Sequence, residues 1–191
     1  MTITFEDDIN SCLPVLEKGG LILYPTDTVW GIGCDATNKA AVEKIFKLKK
    51  RSDQKAMIVL MADERDILQY ITQPDPKMFD YIKGIHKPTT VIYDGAIGFA
   101  ENLLPDDRSV AIRVVNDPFC KYLLKRFRKP IVSTSANISG YPAPSVFADI
   151  DIAIKNGVDY IVQHRRDDLT PGVPSSIVKW NADGSLHIIR S

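Results

Sequence analysis

Apolar and polar positions along the chain recur at two spacings, and their order predicts the elements. Phe5 to Lys18 reads as a helix closed by Gly19-Gly20. Leu21 to Pro25 begins with the apolar run Leu21-Ile22-Leu23 and has the length of a strand. Beyond Asn38, a capping residue, Ala41, Val42, Ile45, Phe46 and Leu48 repeat at helical spacing. That helix runs into the basic segment KLKKR, Lys47 to Arg51, where cations favour the helix dipole. Further strands are predicted at MIVLM from Met57, TTVIY (89–93), VAIRVV (110–115) and PIVSTS (130–135). Asp63 is placed to cap another helix, and a helix over 117–127 separates the last two of those strands. A helix over 145–156, ended by Gly157, precedes YIVQH (160–164), SSIVKW (175–180) and LHIIR (186–190), the last pair joined by the hairpin-like NADG. Helices alternate with strands early and strands crowd together late, which predicts a single α/β domain over 1–191. Its twisted sheet should mix parallel and antiparallel strands, with flanking helices.

Composition narrows the function classes. Lys+Arg and Asp+Glu are both 24 in 191 residues, so no global basic field attracts nucleic acid. Cys12, Cys34 and Cys120 form no CxxC pair, and His86, His164 and His187 form no close metal pair. The N-terminus MTITFEDDIN lacks the apolar core of a signal peptide, and no apolar run has the length of a membrane span. A cytoplasmic location is expected.

The stretch YPTDTVWGIG, Tyr24 to Gly33, carries more chemistry than a turn requires. It reads either as a long turn whose side chains cap their own backbone or as a ligand-binding loop at a strand end. GIGCDA, Gly31 to Ala36, satisfies G-x-G-x-x-A with Asp53 downstream, but TDTVW separates it from the strand and the helix starts only near Asn38. A dinucleotide fold turns its glycines directly off the strand, so that reading fails. Neither G-x-x-x-x-G-K-[ST] nor G-x-S-x-G occurs, which excludes a P-loop and a hydrolase elbow. What remains is a scatter of polar groups at strand ends. These are Lys49, Lys50, Arg51 and Lys55; Arg113 within VAIRVV; Ser133, Thr134, Ser135 and Asn137 in STSAN; Ser175 and Ser176; and Arg190. If these ends converge, they form a cleft suited to a polyphosphate and a small zwitterion, with Arg as a planar fork and hydroxyls for orientation. Each segment also has a plain reading, as a solvated helix end, a polar strand face, or a cap and turn.

Taken together, YPTDTVWGIGCDA, KKRSDQKAMIVL, VAIRV, PIVSTSANISGYPAP and PSSIVKW resemble the YrdC-like threonylcarbamoyl-AMP synthase family, in order, from about Leu21 to Arg190. The resemblance implies a YrdC-like twisted α/β sheet around a concave, cationic cavity. It implies condensation of L-threonine, bicarbonate or carbon dioxide, and ATP with Mg²⁺ into threonylcarbamoyl-AMP and pyrophosphate, for modification of tRNA by separate transferase proteins. Carried over by position, Thr28, Arg113, Ser133 and Ser175 would contact threonine. Lys49, Arg51, Lys55, Ser109, Ser135, Asn137 and Arg190 would serve ATP, with Asn137 supporting the loop. No residue is expected to act as a covalent nucleophile. Trp30, Ser52, KAM, HKPTT (86–90) and Leu60 depart from the family pattern. The alternatives are a non-catalytic module binding tRNA or double-stranded RNA in the same cavity, and a carbamoyl-adenylate domain like those of hydrogenase maturation proteins.

Overall fold

Strand alternation sorts the side chains onto two faces, and the two faces are covered differently. The computed structural model describes residues 5–50, 57–181 and 185–191. Along them run α1 (Phe5–Glu17), β1 (Ile22–Tyr24), β2 (Gly31–Asp35), α2 (Lys39–Leu48), β3 (Ile58–Met61), α3 (Pro76–Lys83) and β4 (Thr89–Tyr93). There follow β5 (Val110–Val114), α4 (Pro118–Phe127), β6 (Ile131–Ser135), α5 (Ile152–Asn156), β7 (Tyr160–Ile161), β8 (Ser176–Trp180) and β9 (Leu186–Arg190). The strands form one sheet in the order β7-β1-β2-β6-β3-β5-β4-β8-β9. Pairs β1–β7, β3–β5 and β4–β8 are parallel and the others antiparallel, giving the mixed sheet that the sequence pattern predicts.

One face is sealed. Leu23, Ile32, Val59, Val91, Ile112, Val132 and Val178 join Ala41, Val42 and Ile45 of α2 and Met78 of α3 in one apolar cluster. The other face is covered in part. Ile9, Cys12 and Leu16 of α1, with Phe119, Leu123 and Leu124 of α4, pack on Ile22, Tyr24, Leu60 and Ile131. Each such side chain contributes about 1.5–3 kcal/mol on burial, so the two helices fix that end of the sheet firmly. Alternation puts Gly31, Ile58, Ala111, Arg113, Ser133, Ser175 and Ile177 on this same face, beyond the helices. There the sheet opens into a cavity.

The caps act as predicted at Asn38, whose Oδ1 accepts from Ala41 N at 3.1 Å, while Asp63 caps a 3₁₀ helix over Glu64–Gln69. Other elements differ, each for a local reason. The helix expected over 145–156 breaks into a 3₁₀ turn, Phe147–Asp149, and the short α5, because Asp151 starts a new helix by accepting from Ala153 N at 2.7 Å. β7 stops at Ile161 because Gln163 N and His164 N both donate to the buried Asp8 carboxylate at 2.8 Å instead of extending a ladder. GIGCD is a strand rather than a glycine turn. The tip of the NADG turn, 182–184, lies outside the described residues. No helix among the described residues is long and apolar enough to cross a membrane.

Candidate functional site

Strand ends distant in sequence meet in this cavity, of about 240 Å³. Thr28 and Val29 form one wall, Met57 and Ile58 enter from the start of β3, and Arg113 rises from β5. Ser133, Thr134 and Ser135 of β6, Pro174, Ser175 and Ile177 around β8, and Arg190 of β9 complete the lining with Gly31 and Ala143. Six of the predicted residues, Thr28, Arg113, Ser133, Ser135, Ser175 and Arg190, are thus brought together.

Arg113 is the chemical centre of this wall. It is only 3% exposed, so it does not project from a solvated strand face. Its Nη2 stands 3.0 Å from Asp27 Oδ1 and 3.4 Å from Thr26 Oγ1. The Asp27 contact is an ion pair without hydrogen-bond alignment, since Oδ1 accepts no aligned hydrogen bond, and the Arg113 Nε–H has no partner. A buried guanidinium with an unsatisfied donor is costly unless something else supplies the acceptor.

The opening loop is both a self-capped turn and a wall of the site. Thr26 Oγ1 reaches Val29 O at 2.8 Å, Thr28 Oγ1 at 2.9 Å and Thr28 N at 3.1 Å. From outside, Arg165 Nη1 donates to Thr26 O at 3.1 Å and pairs with Asp117 Oδ2 at 3.3 Å. Cys120 Sγ donates to Pro25 O at 3.3 Å. Burial, followed by the charges of Asp117 and Asp27, pushes that thiol well above its ordinary range, so it is a loop anchor and not a nucleophile. Trp30, a departure from the family pattern, is buried and packs against Phe147 with ring centroids 4.8 Å apart and planes tilted by 51°, tying the loop to the 145–150 segment.

The glycines of GIG leave room for side chains. A Cβ on Gly33 would meet Tyr24 Cε1 at 2.6 Å, and one on Gly31 would meet Ser133 Oγ at 3.0 Å. Tyr24 fills this space with its hydroxyl 3.4 Å from Val132 O, and burial holds its phenol well above the usual tyrosine range.

Three further predicted residues, Lys49, Asn137 and Ser109, do not line the cavity. Lys49 is buried. Its ammonium donates to Ser135 O, and to Asn137 O at 2.7 Å, clamping the loop after β6. Asn137 organises the same loop, its Oδ1 accepting from Ser135 Oγ and its Nδ2 donating to Tyr141 O at 2.6 Å. Ser109 is buried just before β5, its N–H held by Asp107 Oδ1 at 2.9 Å. It lies four residues, about 13 Å of strand, from Arg113. Arg51 and Lys55 fall outside the described residues. Arg190 uses Nε and Nη2 on Ser175 O, at 3.0 and 2.7 Å, and the Ser175 hydroxyl meets Thr90 Oγ1 at 2.8 Å. Among the described lining residues, the charged ones are Arg113 and Arg190. The sequence reading missed Arg165 and gave Thr26 and Asp27 no individual role, although both stand inside the loop it quoted.

A larger hollow, about 530 Å³, lies at the opposite end of β3 between residues 61–70 and the end of α4. Its cations, Arg65, Lys125, Arg128 and Lys129, are all exposed, and none of the described predicted residues reaches it. Size alone is a weaker argument than a buried, unsatisfied guanidinium, so the smaller cavity is the candidate site. Among the described residues no group of three or more His, Cys, Asp or Glu gathers to hold a metal ion.

Comparison with known proteins addresses the family and the fold. The chain is 31% identical over 160 residues to a threonylcarbamoyl-AMP synthase of Pseudoalteromonas translucida, covering 82% of this chain and 86% of that one. It is also 31% identical over 186 residues to the enzyme of the same name from Coxiella burnetii, covering 92% and 98%. Its fold matches P. abyssi Sua5 in complex with L-threonine at a TM-score of 0.85 and 20% identity, spanning all of this chain and 55% of that one. The Sua5/YciO/YrdC family model, described as telomere recombination, matches residues 14–191. The chain belongs to the Sua5/YciO/YrdC family.

Proposed function

We propose that the protein is an L-threonylcarbamoyladenylate synthase, joining L-threonine, bicarbonate and MgATP with release of pyrophosphate. The observation that carries this reading is the buried Arg113 fork, with a free Nε–H, facing a wall of neutral hydroxyls in a ligand-sized cavity. Arg113 would take the threonine carboxylate, with Thr28, Ser133 and Ser175 around the rest of the amino acid. The nucleotide extends past the mouth, toward Ser135 and Arg190, with Arg51, Lys55 and Ser109 as further candidates and Lys49 and Asn137 holding the loop. Mg²⁺ enters on the phosphates of the substrate, the usual mode for that ion.

In the reaction so read, the threonine amine adds to bicarbonate with loss of water and becomes a carbamate. A carbamate oxygen then forms a bond to the α-phosphorus as the bond to the β-phosphate oxygen breaks. The protein's part is to align these groups and exclude water, and alignment supplies roughly 7–11 kcal/mol in favourable cases. A covalent enzyme intermediate has no place in this scheme; trapping one would refute it. Handing the product to transferase proteins for tRNA modification follows from the chemistry of the proposed adenylate. The RNA-module reading has less support, because RNA phosphates are met by surface cations rather than by a buried guanidinium among hydroxyls.

The test is pyrophosphate release by purified protein given ATP, Mg²⁺, bicarbonate and single amino acids. Threonine-dependent release supports the reading. Release without an amino acid, or none together with tight RNA binding, contradicts it.

A further inference from the structure

A single proton in the opening loop sets the hydrogen-bonding character of the cavity wall. Thr26 is 2% exposed, and its Oγ1 has four neighbours: Val29 O, Thr28 Oγ1, Thr28 N and Arg113 Nη2. A threonine hydroxyl has one proton and two lone pairs. Val29 O only accepts, so the Thr26 proton goes there across 2.8 Å. Thr28 N–H only donates, and at 3.1 Å it takes one lone pair; the Arg113 guanidinium also only donates, but at 3.4 Å it is longer than an ordinary N–H···O bond and leaves the second lone pair to be shared. The 2.9 Å bond between the two hydroxyls then has one direction left, from Thr28 to Thr26. That commits the Thr28 proton and leaves its lone pairs. Thr28 lines the cavity, and Arg113 lines it too while touching the same Thr26 oxygen.

We infer that Thr26 is a positioning residue that fixes Thr28 as a pure hydrogen-bond acceptor toward the substrate, beside the donor fork of Arg113. The wall is therefore matched to a ligand with an anionic group at Arg113 and an N–H or O–H donor a few bonds away at Thr28. In an amino acid or its carbamate, the nitrogen next to the carboxyl-bearing carbon is the first such donor. This rests on reading the cavity as the amino-acid site.

The test uses the variants Thr26→Val, Thr26→Ser, Thr28→Val and the double Thr26→Val/Thr28→Val in the pyrophosphate assay, varying threonine at saturating ATP and the reverse. Thr26→Val should raise the KM for threonine about tenfold, the worth of one ordinary hydrogen bond, with little change in the KM for ATP. Thr26→Ser, which keeps the hydroxyl, should restore most of that loss. Because Thr26 acts through Thr28, the double variant should be no worse than Thr28→Val alone. Losses that multiply in the double variant, or a serine variant as poor as the valine one, would overturn the inference. Should the unaltered protein show no threonine-dependent release, the proposed reaction fails, and neutron diffraction of the deuterated protein decides the hydroxyl direction by itself. Deuterium on Thr26 Oγ1 directed at Val29 O supports the assignment; deuterium directed from Thr26 to Thr28 refutes it.

Discussion

Changing Arg113 to lysine separates its charge from its geometry. The guanidinium is 3% exposed, with Nη2 3.0 Å from Asp27 Oδ1 and Nε unpartnered. Lysine keeps a cation beside Asp27, so the several-kcal/mol penalty of a stranded buried charge is avoided and the fold should persist. What disappears is the planar fork, and with it one of two charge-assisted hydrogen bonds to a carboxylate. Such a bond is worth about 1.5–3 kcal/mol, a loss of roughly 10- to 150-fold in kcat/KM for threonine. The KM for ATP should move by no more than about twofold, because the lost bond belongs to the amino acid. The assay is pyrophosphate release with each substrate varied in turn, alongside a thermal melt to confirm folding. Equal losses toward threonine and ATP, in a variant that melts normally, would refute the assignment of Arg113 to the carboxylate.

The two glycines of GIG should respond differently to alanine. Gly33→Ala forces a Cβ to within 2.6 Å of Tyr24 Cε1 and 3.0 Å of Val132 O, and should cost about 1–3 kcal/mol in denaturant unfolding. Gly31→Ala meets the Ser133 hydroxyl at 3.0 Å, with Thr134 O at 3.5 Å and Tyr24 Cε1 at 3.7 Å in ordinary contact, and should mainly raise the KM for threonine. Lys49→Met withdraws the buried ammonium from Ser135 O and Asn137 O, at about 1–3 kcal/mol for each carbonyl left without that donor, so the denaturation midpoint should fall. Stability should also decline in alkali. Burial, then the hydrogen bond to Asp8, pushes the Tyr160 phenol up to about 12 from an ordinary 10.0, so the folded state holds a proton that the unfolded chain releases. That contribution is whole below pH 10.0 and vanishes as pH rises through about 12. Tyr160→Phe should flatten this part of an alkaline denaturation profile, and an unchanged profile would contradict it.

Much of the fold was legible because strand ends and caps are written locally. The apolar runs at 89–93, 110–115 and 130–135 became strands with bounds close to those expected, and Asn38 and Asp117 cap helices through their own side chains. α3 was missed although Asp75-Pro76 is a cap followed by a favoured first helical residue, because the flanking periodicity is short. β2 was missed for a different reason. Gly31 and Gly33 lower strand propensity, and the neighbours that call for glycine, Ser133 at Gly31 and Tyr24 at Gly33, come from other strands. In the site, residue types announced themselves but partners did not. Arg113 in an apolar strand signalled a special environment, yet its pairing with Asp27 depends on the loop folding back over β5. Lys49 looked like its basic neighbours and turned out to be buried on the carbonyls of Ser135 and Asn137, contacts 86 and 88 residues away. Long-range pairing of that kind leaves no periodic trace in the chain.

A crystal structure of the protein soaked with L-threonine bears most directly on where the chemistry resides. The account places the carboxylate on the Arg113 guanidinium, in the cavity between the 25–30 loop, the end of β6 and the start of β8. Threonine bound instead in the hollow between Met61 and Pro130, or held away from Arg113, would contradict it.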